Sequence, residues 1–457
     1  MKDTIKVYIK TYGCQMNERD SEALAGKLAS LGYEITADEN EGDVLIFNTC
    51  SVREQAERKA IGKIGFMKKL KLSRPDVLIG VIGCMAQNRG EELFKELPHL
   101  DFVLGTGQLH TLPEVIESLR SERRHISLLE QSTDVLTEMG YHHTPANRRF
   151  QDSIAITRGC NRFCSYCIVP YVRGREISRE RADIIAEAKD LVADGVREIL
   201  LLGQNVAAYG WGGNINPPPD DISPFADLLS ELNDINGLYR IRYTSPYPSY
   251  FNAKLIQAIG ALPKVCKSVH LPLQSGSNKI LKAMNRQYTA EKYYEIVEAL
   301  RNVAPEITFS TDIIVGFPGE TDADFDETRK MMQMVQYDNA YIFKYSPRKG
   351  TRSAECPDDV PQEVKEERNQ ILLSELQRSS LARNRSRIGK WEEILVEGPS
   401  RRNPARFVGR SDGARSVMFA PDNDTRIGEL KQVKIAHATA MTLFAEGIPD
   451  LDIDKEE

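Results

Sequence analysis

Short apolar runs alternate along the first part of the chain with stretches whose apolar residues recur at helical spacing. Residues 5–9, 44–47 and 77–82 predict strands, and 101–105 a further one. Residues 21–31 and 53–70 between them predict helices. Strands that alternate with helices form a parallel sheet in an α/β domain. From 121 to 149 the chain is polar and lacks a clean period. Pro145, a histidine pair and Arg148-Arg149 there predict a linker over the surface.

From 150 to 382 the alternation resumes. Strands are expected at 153–157, 198–202, 239–244, 268–273, 307–315 and 340–345, with helices such as 179–194 and 291–301 between them. Six β/α units predict an open or partial (β/α) barrel, whose site lies at the C-terminal ends of the strands. The Gly/Pro-rich loop 210–220, with Trp211, is expected to project from that face. From 383 to 447 the runs shorten to 394–396, 407–408, 417–419 and 433–436, separated by Gly, Pro, Asn and Asp. That predicts a small antiparallel β-barrel. The expected division is 1–120, a linker 121–149, 150–382 and 383–447, with a frayed acidic tail at 450–457.

Composition narrows the classes. The chain has 457 residues, 41% of them hydrophobic and 28% charged, with net charge −6. No run of about 20 apolar residues predicts a membrane span, and the first residues carry no signal-peptide pattern. A cytoplasmic protein is expected. Negative net charge leaves RNA binding to a local basic patch. Without a secretory leader, the eight cysteines are read as metal ligands or free thiols.

Cys160, Cys164 and Cys167 stand in a C-x3-C-x2-C loop directly after the first barrel strand. Three thiolates on one tight loop can ligate three irons of a 4Fe-4S cluster and leave the fourth open. A structural zinc site needs four closed ligands, and no fourth Cys or His follows at zinc spacing. This loop resembles the signature of the radical S-adenosylmethionine (SAM) superfamily. The resemblance implies that the open iron chelates SAM, that the cluster's electron cleaves it, and that the resulting radical abstracts a hydrogen. It also sets Tyr166 near the SAM adenine.

Polar groups end several strands. Gln204 and Asn205 end the second, Gln274 and Ser275 the fourth, and Gly316 of Gly-Phe-Pro-Gly-Glu the fifth, where glycine permits close backbone approach. Asp312 and Arg286 fit either a SAM contact or a structural ion pair.

Cys14, Cys50 and Cys84 form the second set. Each follows a predicted strand, about one βαβ repeat, roughly 30 residues or more, apart. Strand ends of a parallel sheet share an edge, so the thiols can converge. The alternative is three buried core cysteines. Thr-Tyr-Gly-Cys-Gln-Met-Asn around Cys14 and Asn-Thr-Cys-Ser-Val-Arg-Glu around Cys50 resemble the methylthiotransferase family within the radical SAM enzymes. The family implies an auxiliary 4Fe-4S cluster on Cys14, Cys50 and Cys84 that delivers sulfur, and a C-terminal TRAM domain that binds RNA.

Those strings, with Ile-Val-Pro-Tyr-Val-Arg-Gly-Arg-Glu at 168–176, look most like the branch acting on isopentenyladenosine in tRNA. Other branches modify threonylcarbamoyladenosine in tRNA or an aspartate of a ribosomal protein. The 244–248 loop reads Thr-Ser-Pro-Tyr-Pro, where relatives often carry histidine after the serine. The resemblance implies methylthiolation of C2 of the adenosine 3′ of the anticodon, position 37, with two SAM per turnover and no side-chain base. It implies the tRNA anticodon stem-loop, a flavodoxin-like or ferredoxin-like electron donor and a sulfur or cluster donor as partners.

Arg401, Arg402, Arg406 and Arg410, with Phe407 and with Arg383, Arg385 and Arg387 before them, suit phosphate contact and stacking, or a solvated face. Lys63, Lys68, Lys69 and Lys71 read as a solvated stretch. Cys266 and Cys356 are expected as packed free thiols. The reading from another class is a zinc-stabilised RNA-binding protein without catalysis.

Overall fold

The computed structural model describes residues 4–51, 54–132, 150–211 and 216–448. Most of the expected linker, the tip of the Gly/Pro loop and the acidic tail lie outside the described residues. The chain divides into two units. The first holds residues 1–147, 157–161 and 167–179, and the second holds the rest.

In the first unit β1 (Lys6–Tyr12), β2 (Glu34–Thr36), β3 (Val44–Thr49), β4 (Leu78–Gly83), β5 (Phe102–Leu104) and β6 (Ile126–Leu128) form one sheet in the order β2-β1-β3-β4-β5-β6. Every pairing is parallel. β3 and β4 are buried at every position, as unbroken apolar strands must be when helices cover both faces. Val44 and Ile46 pack with Leu24 and Leu28 of the helix Gln15–Ser30 and with Ile116 of the helix Leu112–Ser121. Leu45 and Phe47 pack on the opposite face with Ile64 of the helix Glu54–Ser73. Gly80 is required by its neighbour, because a Cβ there would lie 2.0 Å from the Phe102 ring.

Two strands of this sheet escape sequence reading. β2 and β6 are three residues each and show no period. β6 falls inside the stretch expected to be a linker, so the first unit's sheet continues past residue 120. Its pairing with β5 places it.

Next come β7 (Gln151–Ala155), in the second unit, and the antiparallel pair β8 (Thr157–Arg158) and β9 (Ile177–Ser178) of the first. β7, β10 (Glu198–Leu202), β11 (Arg240–Tyr243), β12 (Ser268–His270), β13 (Thr308–Val315) and β14 (Asn339–Lys344) make two parallel three-stranded sheets, β11-β10-β7 and β12-β13-β14. A bridge from Ile241 to Val265, just before β12, joins them. The result is the expected partial barrel, and no pairing among the described residues closes β14 onto β7. The outer helices begin cleanly. Ser223, Asn252, Thr289 and Thr321 each accept a bond from an amide of the first turn, worth about 1 kcal/mol apiece.

β15 (Trp391–Pro399), β16 (Phe407–Ser411), β17 (Ser416–Phe419), β18 (Leu430–Ala438) and β19 (Thr442–Ala445) close into a barrel in the order β15-β16-β17-β19-β18. The expected antiparallel pattern holds except between β17 and β19, which run parallel. An odd number of strands around a ring cannot alternate in direction throughout, so one pair must be parallel. The helix Gln362–Arg385 leads into this barrel and runs past the boundary expected at 382.

The β16–β17 turn sits against the start of the (β/α) strands. Arg240 donates to the carbonyls of Arg410 and Glu393, the latter at 2.9 Å. Arg242 donates to the carbonyls of Ser411 at 2.8 Å and Asp412 at 3.0 Å. Arg242 also pairs with Glu198 at 2.9 Å, and that carboxylate is only 2% exposed. Removing the arginine would strand a buried charge. Arg242→Ala should therefore destabilise the second unit by about 3–5 kcal/mol, read as a lower urea midpoint, and adding Glu198→Gln should recover part of the loss.

Candidate active site

The first unit brings its cysteines to one edge. Tyr12 pairs with Thr49, and Thr49 with Gly83, so the C-terminal ends of adjacent β1, β3 and β4 are level. Cys14 caps the helix Gln15–Ser30, Cys50 follows β3, and Cys84 opens the helix Cys84–Arg89. Cys14 is exposed, whereas Cys50 and Cys84 are buried. An amide pair fixes the edge. Asn17 donates to Asn48 Oδ1 at 2.9 Å and to the Thr49 carbonyl at 3.0 Å, and Asn48 donates to the Asn17 carbonyl and Ser21 Oγ, both at 2.9 Å. Gly83 has φ +93°, and a Cβ there would meet Asn48 Oδ1 at 2.3 Å.

A buried charge group adjoins this edge. Asp20 lies 3.0 Å from Arg158 and 3.2 Å from Arg173, with all three side chains under 10% exposed. Arg173 also donates to Asn17 Oδ1 at 2.8 Å, the same oxygen that Cys14 Sγ reaches at 3.3 Å. Two guanidiniums against one carboxylate leave an excess positive charge beside the thiols. A buried uncompensated charge is costly, so the site favours an anion. The hydrogen bond with Cys50 lowers the Cys14 pKa to about 5, and the Arg173 charge helps. Burial pushes the Cys84 thiol up.

Among the described residues no three Cys, His, Asp or Glu side chains form a site for a single metal ion. A cluster asks for something else. Each thiolate binds a different iron, so the sulfurs stand a cluster's width apart. Level strand ends, a depressed thiol and excess positive charge fit such an anionic group. Sequence reading missed Asn17, Asp20, Asn48, Arg158 and Arg173 as site residues. Asn17, Asn48 and Arg173 lie inside the strings that carry the family resemblance, but Asp20 has no local signal.

The three-cysteine loop spans both units: Cys160 and Cys167 belong to the first and Cys164 to the second. In the first unit the Cys160 amide donates to the Gly174 carbonyl at 3.1 Å. In the second unit Arg286 reaches Cys164 Sγ at 3.5 Å, the Pro272 carbonyl at 3.1 Å and Tyr288 OH at 2.9 Å. Its guanidinium lies 4.3 Å from the centre of the Tyr247 ring, and that of Arg162 lies 4.4 Å from it. The Tyr247 hydroxyl accepts the Gln287 amide at 2.9 Å, and its own N–H donates to Asn205 Oδ1 at 3.0 Å. The 244–248 loop, left without a role by the sequence, thus braces the arginine that meets Cys164.

Tyr166 packs against Ile280, Met284, Ile314, Phe317 and Tyr345. Asn205 Nδ2 and Gln274 Oε1 are buried and lack a hydrogen-bond partner. An orphaned donor and acceptor at strand ends are costly unless a polar ligand satisfies them, and the amino and carboxylate groups of SAM fit that need. Gln204 is half-buried beside Asn205. Ser275 is bound within its own loop. It is fully buried, its hydroxyl lying 3.3 Å from Thr328 Oγ1 and accepting the Ser277 amide at 3.2 Å. Gly316 is bound within its own loop too. Its N–H goes to Glu320 at 2.7 Å. Its φ of +69° explains the glycine, as does the Lys365 side chain, which a Cβ would meet at 2.3 Å. Asp312 pairs with His270 at 3.3 Å.

The C-terminal arginines also divide. Arg401 and Arg402 are exposed. Arg406 is buried, 3.9 Å from Met418 Sδ, and Arg410 is held by both oxygens of Glu397 at 2.7 and 3.3 Å. Arg383 pairs with Asp338, and Arg387 with Glu306 and Glu392. Phe407 packs edge-on against Phe419 in the barrel core rather than offering a stacking face. Lys63 pairs with Glu39 and Lys71 with Asp101. Cys266 is buried as expected, whereas Cys356 is exposed. Trp211 is half-buried and donates to the Asn216 carbonyl at 2.7 Å.

Three family signatures match in succession: Uncharacterized protein family UPF0004 over residues 6–105, the Radical SAM superfamily over 154–332 and the TRAM domain over 385–448. Among curated proteins, the tRNA-2-methylthio-N(6)-dimethylallyladenosine synthase of Opitutus terrae is 46% identical, covering 96% of this chain and 97% of its own length. The synthases of the same name from Akkermansia muciniphila, 43% identical over 97% and 98%, and Moorella thermoacetica, 46% identical over 96% and 97%, are similar throughout. Among solved structures, the radical SAM methyltransferase TsrM from Kitasatospora setae aligns with TM-score 0.57 and 14% identity over 77% of both chains, a likeness of fold. With end-to-end identity of this order, the chain belongs to the tRNA-2-methylthio-N(6)-dimethylallyladenosine synthase family of radical SAM methylthiotransferases.

Proposed function

We propose that this chain transfers a methylthio group to C2 of N6-isopentenyladenosine at position 37 of tRNA. The observation that carries the reading is the pair of three-cysteine sets, one at level strand ends and one in a C-x3-C-x2-C loop, in a chain 46% identical end to end to named synthases. Cys160, Cys164 and Cys167 hold the SAM-binding 4Fe-4S cluster, and Cys14, Cys50 and Cys84 hold the auxiliary one. Bound there, the clusters and SAM supply one-electron chemistry able to break a strong, unactivated C–H bond and the sulfur that replaces the hydrogen.

The chain's own residues bind and orient. Arg286, braced by Tyr247, holds Cys164 in place and offsets thiolate charge. Asn205 and Gln274 hold the polar end of SAM, Gln204 stands beside them, and Tyr166 covers its adenine. Arg158 and Arg173 keep the environment of the auxiliary cysteines positive. Arg401 and Arg402 take RNA phosphates, which suits an exposed pair on a small barrel. The division proposed is 1–120 for the auxiliary cluster, 150–382 for SAM and 383–447 for RNA, with 121–149 between, into which the first unit's sheet continues through β6. No helix among the described residues is long and apolar enough to cross a membrane. The reading places the work in the cytoplasm, with an electron donor of flavodoxin or ferredoxin type and a sulfur or cluster donor.

Three measurements test this. Protein reconstituted without oxygen should hold about eight irons, and a Cys160/Cys164/Cys167→Ala variant about half of that; zinc in a colourless protein would sink the reading. Nucleoside mass spectrometry should show the methylthio product from prenylated tRNA and none from threonylcarbamoylated tRNA, and the reverse result would move the chain to another branch. In metal-free protein, Cys14 should be mostly thiolate at pH 7, because its pKa lies at about 5. Its alkylation by iodoacetamide, followed by peptide mass spectrometry, should stay fast to about pH 6 and fall through pH 5. An ordinary thiol, with a pKa of about 8.5, slows below about pH 8.

A further inference from the structure

The inner face of the partial barrel carries two large aromatic side chains that the proposed cofactor contacts leave unused. Tyr341 and Phe343 of β14 are 51% and 42% exposed. The register sets Tyr341 level with Asp312 and Phe343 level with Ile314. On β13, Ser310, Asp312 and Ile314 are half-buried, while Thr311, Ile313 and Val315 between them are fully buried on the opposite face. The Tyr341 ring lies 6.1 Å from the His270 ring, so it shares the face of that histidine. His270 is in turn 2.9 Å from Ser310 Oγ and 3.3 Å from Asp312 Oδ2. Ile314, beside Phe343, packs on the cluster that includes Tyr166.

In a closed barrel of this kind, inward side chains fill the interior. Here β14 has no strand partner on its outer side among the described residues, and its two rings stand unfilled at the open edge. A strip thus runs along the inner face, apolar at Ile314 and Phe343, aromatic at Tyr341 and polar at His270, Asp312 and Ser310.

We infer that Tyr341 and Phe343 form the wall that receives the prenylated adenine of the substrate. This rests on the function proposed above and deepens it. A flat purine finds a stacking surface on the tyrosine, and the branched hydrocarbon tail finds Phe343 and Ile314. The polar end meets the base edge. The same strip disfavours the rival tRNA substrate, since a threonylcarbamoyl group carries a carboxylate that would be set against the Asp312 carboxylate and apolar side chains.

The test is binding rather than turnover. The cluster-reconstituted full chain, with SAM and without reductant, is titrated with fluorescent anticodon stem-loops, prenylated and unprenylated. Wild type should bind the prenylated RNA about 10-fold more tightly or better. Phe343→Ala should lose most of that preference while keeping wild-type affinity for the unprenylated RNA and wild-type iron content, Phe343→Leu should retain it, and Tyr341→Ala, which removes the purine's stacking face, should weaken both RNAs. A wild-type preference that Phe343→Ala keeps would overturn this wall and leave the proposed function standing. A wild type with no preference for the prenyl group would overturn the proposed substrate and this wall together. Loss of affinity for both RNAs alike in Phe343→Ala would assign that ring to general RNA contact and overturn the prenyl wall.

Discussion

A parallel sheet sends every strand end to the same edge, and the chemistry of this protein depends on that constraint twice. In the first unit, level ends of β1, β3 and β4 bring together three cysteines that lie far apart in sequence. In the second, the ends of β10, β13 and the loop after β12 gather orphaned amides, an arginine and the Tyr166 cluster. No local motif could collect the first set, because a thiol near residue 14 meets one near residue 84 only through a formed sheet. The fold is therefore a condition for the reactive groups to exist as groups.

Electrostatics then completes each edge in a different way. Around Cys14 and Cys84 the balance is set by fully enclosed charges, Asp20 between Arg158 and Arg173, with a net positive remainder. Such a group is poor as a stabiliser, since desolvating three ions costs more than a well-packed apolar set would. Its persistence beside thiols is better explained by the anion it faces. Around Cys164 the positive charge of Arg286 is held by the Tyr247 and Tyr288 faces and the Pro272 carbonyl instead. That leaves the charge facing the Cys164 sulfur. Tyr247 carries this arrangement, which gives physical meaning to the 244–248 loop.

How much of this was legible varied with the length scale of the cause. β10 was readable because a buried parallel strand is an almost unbroken apolar run, and the expected 198–202 coincides with it. β6 was not, since three half-buried residues carry no period and only pairing with β5 defines them. The shared edge of Cys14, Cys50 and Cys84 was readable because each of these thiols follows a strand end. The roles of Ser275 and Gly316 were not, because a polar or small residue at a strand end serves the loop's own frame as readily as a ligand. Here Thr328, Glu320 and Lys365, none of them adjacent in sequence, decide the matter. The arginine cluster divides for the same reason: Arg406 and Arg410 look alike in sequence, and only the folded barrel shows one buried and the other clamped by Glu397.

The contrast between the two faces of β13 and β14 makes a final point about openness. The outer face obeys ordinary packing, with Thr311, Ile313, Val315 and Ala340 buried beneath helices. The inner face does not, because β14 lacks a neighbour and the arc never closes among the described residues. A closed barrel would satisfy its interior with its own side chains and leave no room for a nucleoside. Leaving the arc open exposes aromatic area that is unfavourable in water by roughly 25 cal/mol per Å². The same open arc among the described residues leaves room for the bulky, flat and partly apolar substrate proposed above.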